Sequence, residues 1–276
     1  MLCFSRYCWL TLVSYIHGGA WRDPKVDASS FDLAQSMLLK SSYNTSKTPL
    51  IAGFASLNYR LSPHPDHPAP PSDPARNAHH PDHINDVLSA IAHLQTLYSH
   101  LTDNYILVGH SCGATLAMQV AMSQAMRSST SSASGTTHII PPRAVVGIEG
   151  IYDLPALVNY HTAHPIYETF ATSAFGLNRD VWRDISPTNG QYETSWSDGR
   201  LVLLGHSRED ELVEWEQVEL MEKTLRSQGF GDVGGKQRVL DVMRLEGLHN
   251  GGWQTGGEVV RAIERALQIL EKTEGK

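Results

Sequence analysis

Two side chains able to act as nucleophiles stand next to each other in LVGHSCGATLA, residues 107–117: Ser111 and Cys112. Gly109-His110-Ser111-Cys112-Gly113 fits G-x-S-x-G, a turn so tight that its flanking positions need glycine. Such a turn lifts its middle side chain above the edge of a sheet, so position favours Ser111. Cys112 would begin the following helix, its side chain turned away and its backbone N–H aimed at the reacting centre. A serine attacks well only if a base takes its proton, and the base needs an acid to hold its tautomer. Both stand downstream, in the chain order serine, acid, histidine. Arg208-Glu209-Asp210-Glu211-Leu212-Val213 follows an apolar run, and on spacing alone Glu209, Asp210 and Glu211 compete for the acid. The alternative for each is a solvated charge. His249 lies in Glu246-Gly247-Leu248-His249-Asn250-Gly251-Gly252, after the last strand-like run, and no other histidine follows Asp210. Gly205-His206-Ser207 repeats G-H-S but has no second glycine, so Ser207 has no elbow.

An attacked carbonyl leaves a negative oxygen that needs donors. In His17-Gly18-Gly19-Ala20-Trp21 two adjacent glycines let backbone N–H groups come close to such an oxygen. The N–H of Cys112 would be their counterpart at the elbow, each donor being worth about 3 kcal/mol of barrier. His64, His67, His79, His80 and His83 crowd the Pro-rich stretch 61–83. Their spacing is irregular and broken by proline, which reads as a solvated loop rather than a zinc site. No metal and no cofactor are expected.

These residues need a frame. TLVSYI (11–16), LIAGFASLNYR (50–60), NYILVG (104–109), RAVVGIEG (143–150), RLVLLG (200–205) and QRVLDVMRL (237–245) read as strands. Amphipathic helices are predicted at 29–42, 84–100, 112–126, 211–228 and 257–272; in 84–100, Ile84, Val87, Leu88, Ile91, Leu94 and Tyr98 fall on one face. This alternation implies an α/β fold with a mostly parallel sheet covered on both faces. Ser128–His138 is a Ser/Thr/Gly tract and reads as a flexible loop. Residues 151–199 hold few strands and many aromatics, as expected of a small cap inserted into a single domain spanning 1–276.

Composition narrows the function classes. The 276 residues are 41% hydrophobic and 18% charged, with a net charge of −7; a nucleic-acid partner would need a basic face. No apolar run is long enough to span a membrane. MLCFSRYCWLTLVSYI has the apolar content of a short signal peptide, but only Arg6 as a basic residue and no small-residue cleavage site. It reads instead as leading into a buried strand. Three cysteines, Cys3, Cys8 and Cys112, form no disulfide framework, so a reducing, cytoplasmic setting is expected.

Taken in order, HGGAW (17–21), NYRLSP (58–63), VGHSCGAT (108–115), EGIYDL (149–154), HSREDELV (206–213) and GLHN (247–250) resemble the fungal kynurenine formamidases (arylformamidases). These are α/β-hydrolases of the esterase/lipase superfamily. The resemblance spans about residues 14–270. It implies hydrolysis of N-formyl-L-kynurenine, an aryl formamide, to L-kynurenine and formate in tryptophan catabolism. It also selects Asp210 from the three acids, through the Asp of DELV, and assigns the oxyanion donors to the N–H groups of Gly19 and Ala20. A homodimer is what the family suggests. The aryl group needs an apolar slot, for which Trp21, Tyr152, Phe170 and Phe175 are the expected walls, with Tyr160, Tyr167 and Trp182 of the cap as further candidate walls. The group that binds the amino-acid end is not identified. Related hydrolases have further strands before the HGGxW strand, whereas about ten residues precede TLVSYI here. The expectation is a truncated chain or a misassigned start. The competing reading is a general carboxylesterase using the same triad on small acyl esters.

Overall fold

A computed structural model of the chain describes residues 10–42, 50–99, 102–128, 139–233 and 238–273. The expectation about strands missing before TLVSYI bears on a segment outside these residues, and so does the Ser/Thr/Gly tract apart from Ser128.

Six runs of β-branched and aliphatic residues form one parallel sheet: β1 (Thr11–Ile16), β2 (Ile51–Leu57), β3 (Tyr105–His110), β4 (Ala144–Ile148), β5 (Leu201–Ser207) and β6 (Val239–Leu245). Their order is β2-β1-β3-β4-β5-β6. Every residue of β1, β3, β4 and β5 is buried, as a sheet covered on both faces requires. The period of two divides them. Leu12, Ile16, Leu107, Val145 and Val202 join the core on one face, and Val13, Tyr15, Ile106, Val108 and Val146 join the core on the other.

Helices alternate with the strands. They are α1 (Asp32–Leu38), α2 (Asp82–Leu97), α3 (Cys112–Ser128), α4 (Leu154–Tyr160), α5 (Ile166–Phe175), α6 (Arg179–Ile185), α7 (Tyr192–Ser195), α8 (Glu216–Ser227), α9 (Gly251–Thr255) and α10 (Gly257–Thr273). α10 buries Val259, Ala262, Ile263, Ala266, Leu267 and Leu270, an i, i+3, i+4 stripe, in the second core.

Register brings the chemistry to one edge. Ile16 pairs with Gly109, His110 with Ile148, Ile148 with Gly205, and Ser207 with Leu245. The loops after β1, β3, β4, β5 and β6 therefore leave the sheet side by side at its C-terminal edge. Strand order reverses between β1 and β3, and that is where an open α/β sheet opens a crevice.

Three expectations need correction. The helix expected at 211–228 begins only at Glu216. The Asp210 carboxylate accepts the N–H groups of Leu212 and Val213, both at 2.9 Å, and this turn keeps 211–213 out of the helix. β2 stops at Leu57, three residues short of the run read as a strand. The His-rich stretch is not wholly solvated: His83 opens into α2, is 1% exposed and meets Ser62 Oγ at 2.9 Å. The His80 N–H donates to the Ala174 carbonyl, tying this stretch to α5.

Between β4 and β5 the chain folds into α4–α7, without a strand. These helices are short because their ends are signalled locally. Asp153 caps α4 by accepting from the Ala156 N–H, Asn178 caps α6, and Gly176, at φ +76°, ends α5.

Candidate active site

At the end of β3 the chain turns sharply into α3. Ser111 sits at the corner with φ +54°, a conformation L-residues rarely adopt. Its N–H donates to the Ile148 carbonyl at 2.9 Å. Glycine is required on both sides. A Cβ on Gly109 would lie 2.3 Å from the Gly113 carbonyl oxygen, and one on Gly113 would lie 2.2 Å from that of Ile16. Among the described residues, the non-glycine positions with positive φ are Ala20, Trp21, Ser111 and Glu149. All four lie at this edge, so the backbone strain of the fold is concentrated where strain is put to use.

The Cys112 side chain takes no part in the open site. It is fully buried as the first residue of α3. Its Sγ accepts the Trp21 N–H at 3.3 Å and lies 3.5 Å from the Tyr59 hydroxyl. Burial pushes the thiol up to about 11, so the nucleophilic thiolate is scarce at neutral pH. The sulfur is a prop beneath the His17–Trp21 loop. Tyr59 braces the same loop by donating to the carbonyls of His17 and Gly18 at 3.1 and 3.0 Å. Gly18 lets the loop lie against the elbow, since a Cβ there would be 3.1 Å from the Ser111 Cβ. Gly19 and Ala20, at φ +92° and +48°, face the cavity above.

The three acids separate cleanly. His249 Nδ1 lies 2.8 Å from Asp210 Oδ2, and the Asp210 side chain has no exposed surface. Glu209 is exposed. Glu211 accepts the backbone N–H of His249 at 2.9 Å, so it holds the loop rather than the ring. Burial works against the Asp210 carboxylate, but hydrogen bonds from His249, Glu149 and the Val213 N–H outweigh it and hold the group below the usual carboxylate range.

Around this pair lies a buried set the motif reading did not single out. Glu149 follows β4 at φ +47° and accepts the Ser207 N–H at 3.0 Å. Burial first, and then the neighbouring Asp210 carboxylate, push its carboxyl well up, so it stays protonated and hydrogen-bonds to Asp210. His206 Nε2 lies 2.9 Å from the Val213 carbonyl and 3.4 Å from both carboxyl groups. His110 Nε2 meets the His249 carbonyl at 2.9 Å. Burial drives His110 down to about 3, so the neutral ring donates Nε2–H there and steadies the His249 loop. Sequence signals for these did exist. His110 is the variable residue of the elbow, His206 belongs to the repeated G-H-S, and Glu149 opens EGIYDL.

Ser111 and His249 both open onto a cavity of ≈ 900 Å³, with Gly19, Ala20, Arg22 and Phe170 among its walls. Of the candidate aromatic walls, Phe170, Tyr160 and Tyr167 line it, whereas Trp21, Tyr152, Phe175 and Trp182 do not. Trp21, at φ +59°, turns its indole inward to an edge contact with Phe175, 4.9 Å between centroids. Tyr152 is fully buried beneath the elbow, where its hydroxyl would lie 2.1 Å from a Cβ on Gly147. Trp253, not singled out in the sequence, adds a further aromatic wall. Tyr167 is held by stacking on His161 at 3.9 Å and by donating to the Leu212 carbonyl at 2.7 Å.

This geometry can be set beside known proteins. The BD-FAE family model matches residues 8–225. The kynurenine formamidase-like hydrolase fscH of Fusarium equiseti is 37% identical over 94% of this chain and 83% of its own. Kynurenine formamidase avaC of Aspergillus versicolor is 38% identical over 74% of this chain and 71% of its own. The kynurenine formamidase of Meyerozyma guilliermondii is 34% identical over 79% and 72%. Among solved structures, esterase B of Lactobacillus rhamnosis superposes with a TM-score of 0.68 at 14% identity, over 98% of this chain and 80% of that one. The acetyl ester-xyloside bifunctional hydrolase of Caldicellulosiruptor lactoaceticus gives 0.64 at 17% identity, over 95% and 83%. The fold is thus that of the α/β-hydrolase esterases, and the chain belongs to the BD-FAE family, alongside its kynurenine formamidase relatives.

Proposed function

We propose that this enzyme hydrolyses N-formyl-L-kynurenine to L-kynurenine and formate by a serine mechanism. The observation that carries the reading is that Ser111, on its strained elbow, and His249, bonded to buried Asp210 at 2.8 Å, open onto one cavity. The relatives named kynurenine formamidase support the substrate.

In the proposed cycle His249 takes the Ser111 proton as Oγ attacks the formyl carbon. Asp210 holds the ring through Nδ1 and stabilises its charged form. The oxyanion is received by the N–H groups of Gly19, Ala20 and Cys112. His249 then gives its proton to the departing arylamine nitrogen, leaving formyl-Ser111. Water, deprotonated by the same His249, attacks that ester; as the Oγ–formyl bond breaks, His249 returns the proton to Ser111 Oγ and formic acid leaves, ionising to formate. The formyl group is the smallest acyl group, so most of the ≈ 900 Å³ falls to the aryl side, against Phe170 and Tyr167. α4–α7 act as the cap of a single catalytic domain.

The buried free thiol of Cys112 suits a reducing compartment, and we place the enzyme in the cytoplasm as a homodimer. Among the described residues no helix is long and apolar enough to cross a membrane. The test of the proposed function compares kcat/KM for N-formyl-L-kynurenine with that for a short p-nitrophenyl ester. Preference for the formamide supports it; turnover of the ester alone returns the carboxylesterase reading.

A further inference from the structure

Arg22 immediately follows HGGAW and is 4% exposed. A buried guanidinium is normally paired or fully hydrogen-bonded, because stripping its water is costly. This one is not. Its backbone N–H is used, donating to the Gly19 carbonyl at 2.9 Å. Its side chain makes no hydrogen bond or ion pair among the described residues, and Nη1 is buried without a partner. The packing it does have is the face of Phe170, 5.9 Å from the guanidinium carbon to the ring centroid. Asp23 and Asp66 act on Arg22 only through space, and Asp23 spends Oδ1 on the Lys25 N–H at 2.9 Å. Arg22 nevertheless lines the cavity onto which Ser111 and His249 open. It is carried there by the same turn that presents Gly19 and Ala20.

We infer that Arg22 binds the α-carboxylate of the formamide substrate and so sets specificity for an amino-acid-bearing aryl formamide. The inference rests on the proposed formamidase function and supplies its missing amino-acid end. The chemistry fits. A planar guanidinium offers paired donors matched to a carboxylate. A buried donor with no protein partner gains one from a substrate carboxylate, so the site selects against ligands that lack the group. With Arg22 on the oxyanion side and Phe170 beside it, the carboxylate and the ring would be held from one wall while the formyl group meets Ser111.

The test uses the full-length enzyme and two substrates, N-formyl-L-kynurenine and N-formylkynuramine, which lacks only the carboxylate. The readout is the ratio of their kcat/KM values, in the wild type and in Arg22→Met and Arg22→Lys. The wild type should favour the carboxylate-bearing substrate, and Arg22→Met should cut the ratio by about ten- to a hundredfold, mostly through KM, as for loss of a charge-assisted pair. Arg22→Lys should fall between. Equal rates on both substrates in the wild type would overturn the inference without any variant, while leaving the formamidase reading intact. So would an unchanged ratio in folded Arg22→Met. Equilibrium binding of the products L-kynurenine and kynuramine to the wild type gives a readout free of turnover. Tighter binding of L-kynurenine, weakened in Arg22→Lys, supports the inference. Neither turnover nor binding would remove both readings together.

Discussion

Replacing Cys112 with alanine separates the two neighbouring nucleophile types and puts a number on what the thiol does. Its sulfur accepts the Trp21 N–H at 3.3 Å in a fully buried setting. Removing it leaves that N–H unpaired, at about 1–3 kcal/mol. The space vacated by the sulfur adds about 1 kcal/mol. Tyr59 loses one contact but keeps the His17 and Gly18 carbonyls, so the loop is loosened rather than released. The sum, about 2–4 kcal/mol, should lower Tm by roughly 5–15 °C in a chain of this size. Turnover should fall by no more than about tenfold, because the residue 112 backbone N–H, the proposed oxyanion donor, is still present. Ser111→Ala should behave oppositely, losing on the order of 10³- to 10⁶-fold in turnover with Tm nearly unchanged. Thermal melting by circular dichroism and formate release, measured on both variants, make the comparison. A folded Cys112→Ala enzyme as inactive as Ser111→Ala would refute the assignment of the nucleophile. An unchanged Tm would refute the role of the sulfur as a prop.

Asp210→Asn should cost on the order of 10⁴-fold in kcat, because the wrong tautomer of His249 is then held, whereas Glu209→Gln should cost little; equal losses in the two would contradict the choice of acid. Glu149 supplies a pH signature. Its carboxyl is raised in the folded state by burial and by Asp210, so its stabilisation is complete below the ordinary carboxyl range and is lost as pH rises through the raised value. Asp210, held low, contributes above that range and loses its share in acid as pH falls through the lowered value. Glu149→Gln should therefore flatten the decline of Tm on the alkaline side while leaving the acid side in place. Parallel Tm profiles for the two proteins would count against the shared carboxyl pair.

Much of this site was legible because its parts are local and punctuated. A tight turn between a strand and a helix must carry glycines, so Gly109 and Gly113 mark Ser111 in the sequence itself. β1 was delimited by its apolar run as it is found, Thr11–Ile16. Choosing among Glu209, Asp210 and Glu211 was beyond spacing, because all three lie in one loop. What separates them is which carboxylate turns inward, and that depends on His206, Glu149 and the Val213 N–H, contributed partly by another strand end. The start of α8 was misread for a related reason: the Asp210 side chain competes with the helix for backbone N–H groups, which periodicity does not register. Tyr160, Tyr167 and Phe170 line the cavity while Trp21, Tyr152, Phe175 and Trp182 do not, because a ring near the site can face the cavity or the core. Trp21 and Tyr152 face inward, to fill space around the strained turns. Arg22 escaped notice since a charged residue in a loop reads as solvated; its burial depends on residues distant in the chain, among them Phe170 of α5.

The most direct test is formate release from N-formyl-L-kynurenine by the purified full-length protein, with Ser111→Ala measured beside it. The account predicts steady turnover by the wild type that disappears in the variant, both proteins melting at similar temperatures. Absence of turnover in folded wild type, or turnover that survives in Ser111→Ala, would contradict it.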